Sequence, residues 1–133
     1  MENNNEIKSK KIEFNISTSY LDDLVDKIDK KDLSAVDSLL AKLHPSDIAE
    51  VISNLPEKKR FELIALENFK INPHVIVELT DELQKDILEK ISSDRIVKIV
   101  NSLESDNALQ IIENLTDEKK DRVLTKIPIE DKN

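Results

Sequence analysis

The chain has 133 residues, of which 38% are hydrophobic and 36% charged, and it carries a formal net charge of −8 at pH 7. This size fits one domain, and the acidic charge argues against nucleic-acid binding, which requires a basic stripe. Because the chain has neither cysteine nor glycine, disulfides, thiolate metal sites, glycine-rich phosphate loops and nucleophile elbows are excluded.

The N-terminal residues 1–17 are predicted to be a flexible tail, because an asparagine run followed by lysines shows no helical period. Ile12, Phe14 and Ile16 alternate as in a strand, so an extended segment packed on the first helix is the alternative. No apolar run approaches the roughly 20 residues of a membrane span, and no signal-peptide segment is evident. We therefore expect a protein that is cytosolic or faces the cytosol.

The first five helices are predicted from capping residues and prolines that precede apolar stripes. Thr18 and Ser19 can cap the first helix, and Asp32 can cap the second. Proline is favoured at the first helical position, where its missing amide donor would have no partner. The third, fourth and fifth helices are therefore predicted to begin at Pro45, Pro56 and Pro73.

The C-terminal half repeats one pattern every twelve residues, in which an aliphatic pair is followed three and four positions later by an anchor residue. The anchors are Leu79, Ile91, Leu103, Leu115 and Ile127. The pairs are Val75 and Ile76, Ile87 and Leu88, Ile99 and Val100, Ile111 and Ile112, and Val123 and Leu124. Each pair and its anchor are predicted to form one helical stripe, with helices beginning at Thr80, Ser92 or Ser93, Ser105 and Thr116. The pattern also ends at Leu43 and Leu55, but between Leu55 and Leu79 it is irregular, with Phe69 two places late.

A twelve-residue unit holds a helix of about nine residues and about three residues that reverse the chain. Such helices are too short to persist alone in water and are stable only when their neighbours cover them. The sequence therefore predicts an all-α solenoid of about nine short antiparallel helices over residues 18–127. Residues 128–133 are predicted to be a tail or a linker.

Carboxylates recur nine positions before four of the anchors, at Glu82, Asp94, Asp106 and Glu118. A carboxylate in the first turn of a helix interacts favourably with the macrodipole, by roughly 0.3–1 kcal/mol. The alternative is that the four line one acidic ridge, which suits a hydrated divalent cation. Neither of the two histidines, His44 and His74, has the companions of a zinc site or a catalytic triad, so the protein is predicted not to be an enzyme.

Two segments carry a resemblance to a known family. Residues 43–50 read Leu-His-Pro-Ser-Asp-Ile-Ala-Glu and continue Val-Ile-Ser-Asn-Leu-Pro-Glu, while residues 103–115 read Leu-Glu-Ser-Asp-Asn-Ala-Leu-Gln-Ile-Ile-Glu-Asn-Leu. The first resembles the opening of the cytosolic N-terminal domain of MgtE-type magnesium transporters, and the second resembles the penultimate repeat of that domain. The similarity covers roughly residues 32–127.

The resemblance implies a right-handed superhelix, related also to the middle domain of a flagellar switch protein. In the family this domain precedes paired CBS modules and a membrane pore, and magnesium held between the domain and the CBS modules favours the closed pore. We therefore expect a regulatory domain at the cytoplasmic face of the cell membrane, partnered by CBS modules and a pore of the same polypeptide, with homodimers formed through the full transporter. The alternative is a non-catalytic interaction scaffold, flagellar-switch-like or degenerate, without ion sensing.

The resemblance also indicates where magnesium ligands are expected. The family places carboxylates in the helix before Leu79 and as an Asp-x-x-x-Asp pair in the helix that begins at Ser105. Asp106 matches the first residue of that pair, but Gln110 stands at the second, and His74 replaces the usual glutamate of the other helix. Asp106 is thus the main candidate ligand, and Glu78 and Glu113, one turn further along, are weaker candidates. Mg²⁺ is expected to bind weakly or not at all to the isolated chain.

Overall fold

The computed structural model describes residues 16–127, in which it contains nine α-helices and no strand. The helices are α1 (Thr18–Asp29), α2 (Leu33–Leu40), α3 (Pro45–Asn54), α4 (Glu57–Ala65), α5 (Pro73–Glu78), α6 (Asp81–Lys90), α7 (Ser93–Asn101), α8 (Ser105–Glu113) and α9 (Asp117–Lys126). The prediction of an all-helical chain is confirmed for these residues. The predicted tail up to residue 15, with Ile12 and Phe14, and the predicted linker 128–133 lie outside the described residues.

Side-chain caps begin six of the nine helices in residues 16–127, and four of these caps, Asp32, Thr80, Ser92 and Thr116, stand where the sequence predicts a cap or a helix start. The side-chain oxygens that accept a hydrogen bond from a first-turn amide belong to Ser17, Asp32, Asn72, Thr80, Ser92 and Thr116. Four predicted starts are wrong by one or two residues. Thr80 and Thr116 are caps, so α6 and α9 begin one residue after them. Ser17, not Thr18 or Ser19, caps α1, and α4 begins at Glu57 because the extended backbone of Pro56 (ψ 146°) places that proline in the cap position.

Several anchor residues end their helices instead of extending the stripes, whereas Leu103 and Leu115 follow helices that are capped by Ser102 and Asn114. Leu55, Leu79 and Ile91 have an extended backbone, with ψ between 144° and 155°, and each donates its amide to the carbonyl three residues earlier at 3.2–3.4 Å. Their side chains nevertheless remain buried. An anchor of this kind closes one helix and turns the chain toward the next, so only two residues separate α5 from α6 and α6 from α7.

The core is a continuous cluster of aliphatic side chains supplied by the repeated pairs. Both members of the pairs in α3, α5, α6 and α7 are buried, and so are the first members in α8 and α9. The pattern fails at the C-terminal end. Leu124 is 43% exposed, so the prediction of a buried stripe is wrong for this residue. The anchor Leu103 packs against the core but is only partly buried.

Helices that are two apart along the chain pack against each other, and so do some successive helices. The pairs of alternate helices are α3 with α5, α4 with α6 and α7 with α9, while α1 contacts both α2 and α4, and α7 contacts α8. A helix of about nine residues that reverses at each end brings its second neighbour alongside, so these contacts agree with the length of the repeat.

α1 is followed by a left-handed residue, Lys31 (φ 56°), although the chain has no glycine. At other helix ends, long side chains donate to the last carbonyl groups. The Arg60 guanidinium donates to the carbonyls of Ile52 and Leu55 at the end of α3, both at 3.1 Å. The Lys119 ammonium donates to the Glu89 carbonyl near the end of α6 at 2.8 Å. Positive side chains also complement the negative end of a helix dipole.

Candidate functional site

The four periodic carboxylates all lie in the first turns of α6 to α9 and all are exposed. Glu82, Asp94, Asp106 and Glu118 thus occupy the helix positions that the sequence predicts. This position agrees with the dipole interpretation, because the unpaired amides of a first turn attract negative charge.

Ion pairs divide these four carboxylates into two kinds. Asp94 accepts a hydrogen bond from the Lys126 ammonium at 2.8 Å, and this bond, reinforced by the charge of Lys126, lowers the pKa of the Asp94 carboxyl. Glu118 lies 3.7 Å from the Arg122 guanidinium. Within residues 16–127 neither Glu82 nor Asp106 forms such a pair, so these two retain the more available negative charge.

Asp106 lies on a face of α8 that is exposed along its whole length. Residues at spacings of three, four and seven share one face of a helix, and from Asp106 these are Leu109, Gln110 and Glu113, all of them exposed. Leu109 is 55% exposed, more than Leu124, the other exposed large apolar side chain of residues 16–127. We call these four residues the α8 face. It combines two carboxylates, an amide and one apolar side chain.

Glu78 and His74 lie on α5, one helical turn apart and both exposed. The His74 backbone amide donates to the Asn72 side chain at 2.8 Å, so this residue takes part in the helix start. In the described part of the chain no group of three or more His, Cys, Asp or Glu side chains is placed to hold a metal ion. Asp106, Glu78 and Glu113 are therefore not gathered into one such cluster, and their assignment as ligands stays a prediction.

A buried polar network that the sequence analysis missed joins α5, α6 and α8. Gln84 is fully buried in α6, and its amide donates to the Ile76 carbonyl near the end of α5 at 2.8 Å. The Asn114 amide in turn donates to the Gln84 side-chain oxygen and to Asp81. The repeat carries a signal for this network, since Gln84 stands seven positions before Ile91, where the next unit has an isoleucine, Ile96.

One comparison with known proteins identifies a family for this chain. The family model described as the MgtE intracellular N domain matches residues 43–133, well over half of the chain. The chain therefore belongs to the MgtE intracellular N domain family, which is not a family of enzymes. Neither a curated protein nor a solved structure matches the chain. Between residues 16 and 127 no helix is long and apolar enough to cross a membrane.

Proposed function

We propose that this domain regulates a magnesium transporter from the cytosolic side. In this proposal, the domain docks on CBS modules of the same polypeptide when Mg²⁺ occupies their interface, and the docked arrangement favours the closed pore. Membership of the family supports the connection to magnesium transport. The single observation that supports docking is the α8 face, on which an apolar side chain is exposed beside two carboxylates.

The composition of the α8 face suits a docking surface. Interfaces of regulatory modules commonly have an apolar centre surrounded by polar groups. Leu109 would supply the apolar contact, while Asp106 and Glu113, three and four residues away, would supply charge at its edge.

A cation at the interface would offset the repulsion between two acidic surfaces. Mg²⁺ typically keeps several waters and binds through one or two carboxylates, so a half-site on each partner is sufficient. Two carboxylates about 6 Å apart near a surface repel by only ~1–3 kcal/mol, so the isolated domain gains little from binding the ion. The docked state alone would bring the ligands together, and the ion would shift the equilibrium by its differential affinity for that state.

A right-handed superhelix is the arrangement of helices that we propose to present this face, and its hand is the one that the family resemblance implies. A regular step along the chain is supported by recurring contacts between a basic side chain and the end of the helix three places earlier. These contacts are Lys59 to Asp29 at 2.6 Å, Arg95 to the Ile64 carbonyl at 3.2 Å, and Lys119 to the Glu89 carbonyl at 2.8 Å. Sequence separations of 30, 31 and 30 residues show that one contact recurs at a nearly constant step along the chain.

The proposal is tested in the full polypeptide that the gene encodes, by limited proteolysis of the junction that follows this domain with and without Mg²⁺. The Asp106→Ala variant is compared with Glu82→Ala, because Glu82 is also an exposed first-turn carboxylate without an ion pair among residues 16–127. We expect Mg²⁺ to protect the wild type and Glu82→Ala, and Asp106→Ala to require at least about threefold more Mg²⁺ for the same protection. Equal behaviour of the two variants would contradict the assignment of Asp106.

An interaction scaffold without ion sensing is the second candidate function. It is favoured by the residues that replace family carboxylates, Gln110 on the α8 face and His74 on α5. In that case protection of the junction would be independent of Mg²⁺ and would be lost on changing Leu109→Ser. Protection that requires Mg²⁺ and survives Leu109→Ser would contradict the scaffold.

A further inference from the structure

A cavity of about 570 Å³ lies between the segment that follows α4 and one side of α7. Its apolar wall is formed by Leu66, Phe69, Ile71 and Ile99. This volume falls within the range of about 300–1,000 Å³ that is typical of ligand pockets. The cavity is therefore large enough to receive one or two side chains of a partner.

The break in the repeat creates this cavity. After α4 ends at Ala65, seven residues pass before α5 begins, and Asn68 has a left-handed backbone with φ 68°. Asparagine tolerates that conformation better than most residues. Phe69 and Ile71 turn inward and are buried, so they occupy core positions that a helix supplies elsewhere.

Arg95 of α7 fixes the position of the segment. Its guanidinium donates to the Ile64 carbonyl at 3.2 Å and to the Phe69 carbonyl at 3.3 Å, which joins the end of α4 to the middle of the segment. The walls of the cavity are thus held by hydrogen bonds before any ligand enters. Preorganisation of this kind reduces the ordering that binding would otherwise require.

The charge of this cavity has the opposite sign to that of the whole chain. Lys70, Arg95 and Lys98 line it together with one carboxylate, Glu67, while the chain has a formal net charge of −8. Neither Lys70 nor Lys98 forms an ion pair with any carboxylate of residues 16–127, and the two bonds of the Arg95 guanidinium go to uncharged carbonyls. Among residues 16–127 the two lysine ammonium groups are therefore free of direct ion pairs, and Lys98 acts on Asp94 only through its charge, which contributes to lowering the pKa of that carboxyl.

A second cavity, of about 800 Å³ on the α1 side of the same segment, provides the contrast. There the ammonium of Lys59 is already paired with Asp29 at 2.6 Å and with Glu62 at 3.2 Å. Its lining has three carboxylates and two lysines, so it has no excess of positive charge. Selective attraction of an anion is consequently a property of the first cavity.

We propose that the cavity between α4 and α7 binds an acidic peptide segment that inserts a large apolar side chain among Leu66, Phe69 and Ile99 and sets its carboxylates against Lys70 and Lys98. This inference is independent of the proposed magnesium regulation, since it uses neither the α8 face nor a cation. It identifies a second partner surface of opposite charge on the same domain.

The test uses the ¹⁵N-labelled full chain of 133 residues and the blocked peptide acetyl-Asp-Glu-Leu-Phe-Asp-Glu-amide, followed by amide chemical shifts. Two further peptides serve as controls. One replaces all four acidic residues by lysine, and the other replaces Leu-Phe by Ser-Ser. We expect the first peptide alone to bind saturably, with shifts concentrated in residues 65–71 and in α7.

The double variant Lys70→Gln/Lys98→Gln should weaken this binding by about threefold to tenfold, as expected for the loss of two exposed ion pairs. The matched control is Lys42→Gln/Lys85→Gln, which removes the same charge at exposed positions outside the cavity and should leave the affinity unchanged. Equal weakening by both variants, equal binding of the Ser-Ser peptide, or the absence of shifts in residues 65–71 would each overturn the proposal.

Discussion

The regular segment from Leu79 to Ile127 and the irregular segment from Leu55 to Leu79 solve the same packing problem in different ways. In the regular segment each new helix begins two residues after the preceding anchor, and two or three residues separate successive helices. In the irregular segment, seven residues separate α4 from α5, and buried Phe69 and Ile71 fill the core without a helix. The buried core is therefore continuous through both segments, whether its side chains come from a helix or from the irregular segment.

The two segments also differ in what they present to a partner. The regular segment gives the α8 face, acidic around the exposed Leu109. The irregular segment gives a cavity with positive charges around an apolar wall. Each surface arises where the repeat departs from its strict pattern, since Leu109 is an apolar residue outside the stripe and Phe69 falls two places late.

The largest expected effect tests whether the irregular segment is as well packed as the regular one. Phe69→Ala should lower the free energy of unfolding by about 3–5 kcal/mol, and Ile111→Ala in α8 by about 2–5 kcal/mol, because both side chains are buried. Chemical denaturation measures both, and Leu124→Ala, at a side chain 43% exposed, is the control with a small effect. A loss below about 1 kcal/mol for Phe69→Ala would show that the irregular segment is not part of the core.

Gln84 is the buried polar side chain of the regular segment. Gln84→Ala should cost about 1–3 kcal/mol, because it leaves the Ile76 carbonyl and the Asn114 amide without their buried partner. Gln110→Ala, at an exposed site in α8, is the matched control and should change stability little. The network is unimportant if the two glutamine variants unfold at the same denaturant concentration.

Arg95 tests the link between the two segments. Arg95→Met keeps much of the apolar stem but removes two hydrogen bonds to carbonyls, for an expected loss of about 1–2 kcal/mol. Hydrogen exchange should show faster opening of residues 65–71 in this variant, whereas Arg122→Met, at an exposed site in α9, should leave that segment unchanged. Arg95→Lys should recover only part of the loss, since lysine does not reproduce the fork of two donors.

Asp94 gives the smallest expected effect, and this effect depends on pH. The Lys126 ammonium lowers the pKa of the Asp94 carboxyl from its usual 3.8, so the ionised form is favoured by folding. Its contribution is therefore present above pH 3.8 and is lost as the pH falls through the lowered pKa. Asp94→Asn should slightly reduce the thermal midpoint at neutral pH and have less effect in acid. A difference that grows on acidification would contradict the assigned pair.

Much of the fold could be predicted from the sequence because the determinants are local. Helix starts follow from Asp32, Pro45, Pro73 and Thr80, whose capping or φ preference acts within one turn. The role of the anchors could not be read in the same way. Helical spacing places an anchor such as Leu79 on the stripe, and only the reversal of the chain makes it the cap that ends the helix.

The candidate site was less predictable because it depends on contacts between distant residues. Asp106 and Asp94 have the same place in the repeat, and the sequence does not indicate that Lys126 approaches only Asp94. The cavity likewise depends on Arg95 reaching the Phe69 carbonyl, 26 residues earlier. Such pairings follow from how alternate helices pack, which the period of the repeat alone does not specify.

The most direct test of the proposed regulation is hydrogen exchange of the amides in Ser105–Glu113, measured in the full polypeptide with and without Mg²⁺. We expect Mg²⁺ to slow exchange in this helix in the wild type but not in Asp106→Ala, while exchange in Asp81–Lys90 stays unchanged in both. Unchanged exchange of Ser105–Glu113 in the wild type, or equal slowing in Asp106→Ala, would contradict magnesium-dependent docking through the α8 face.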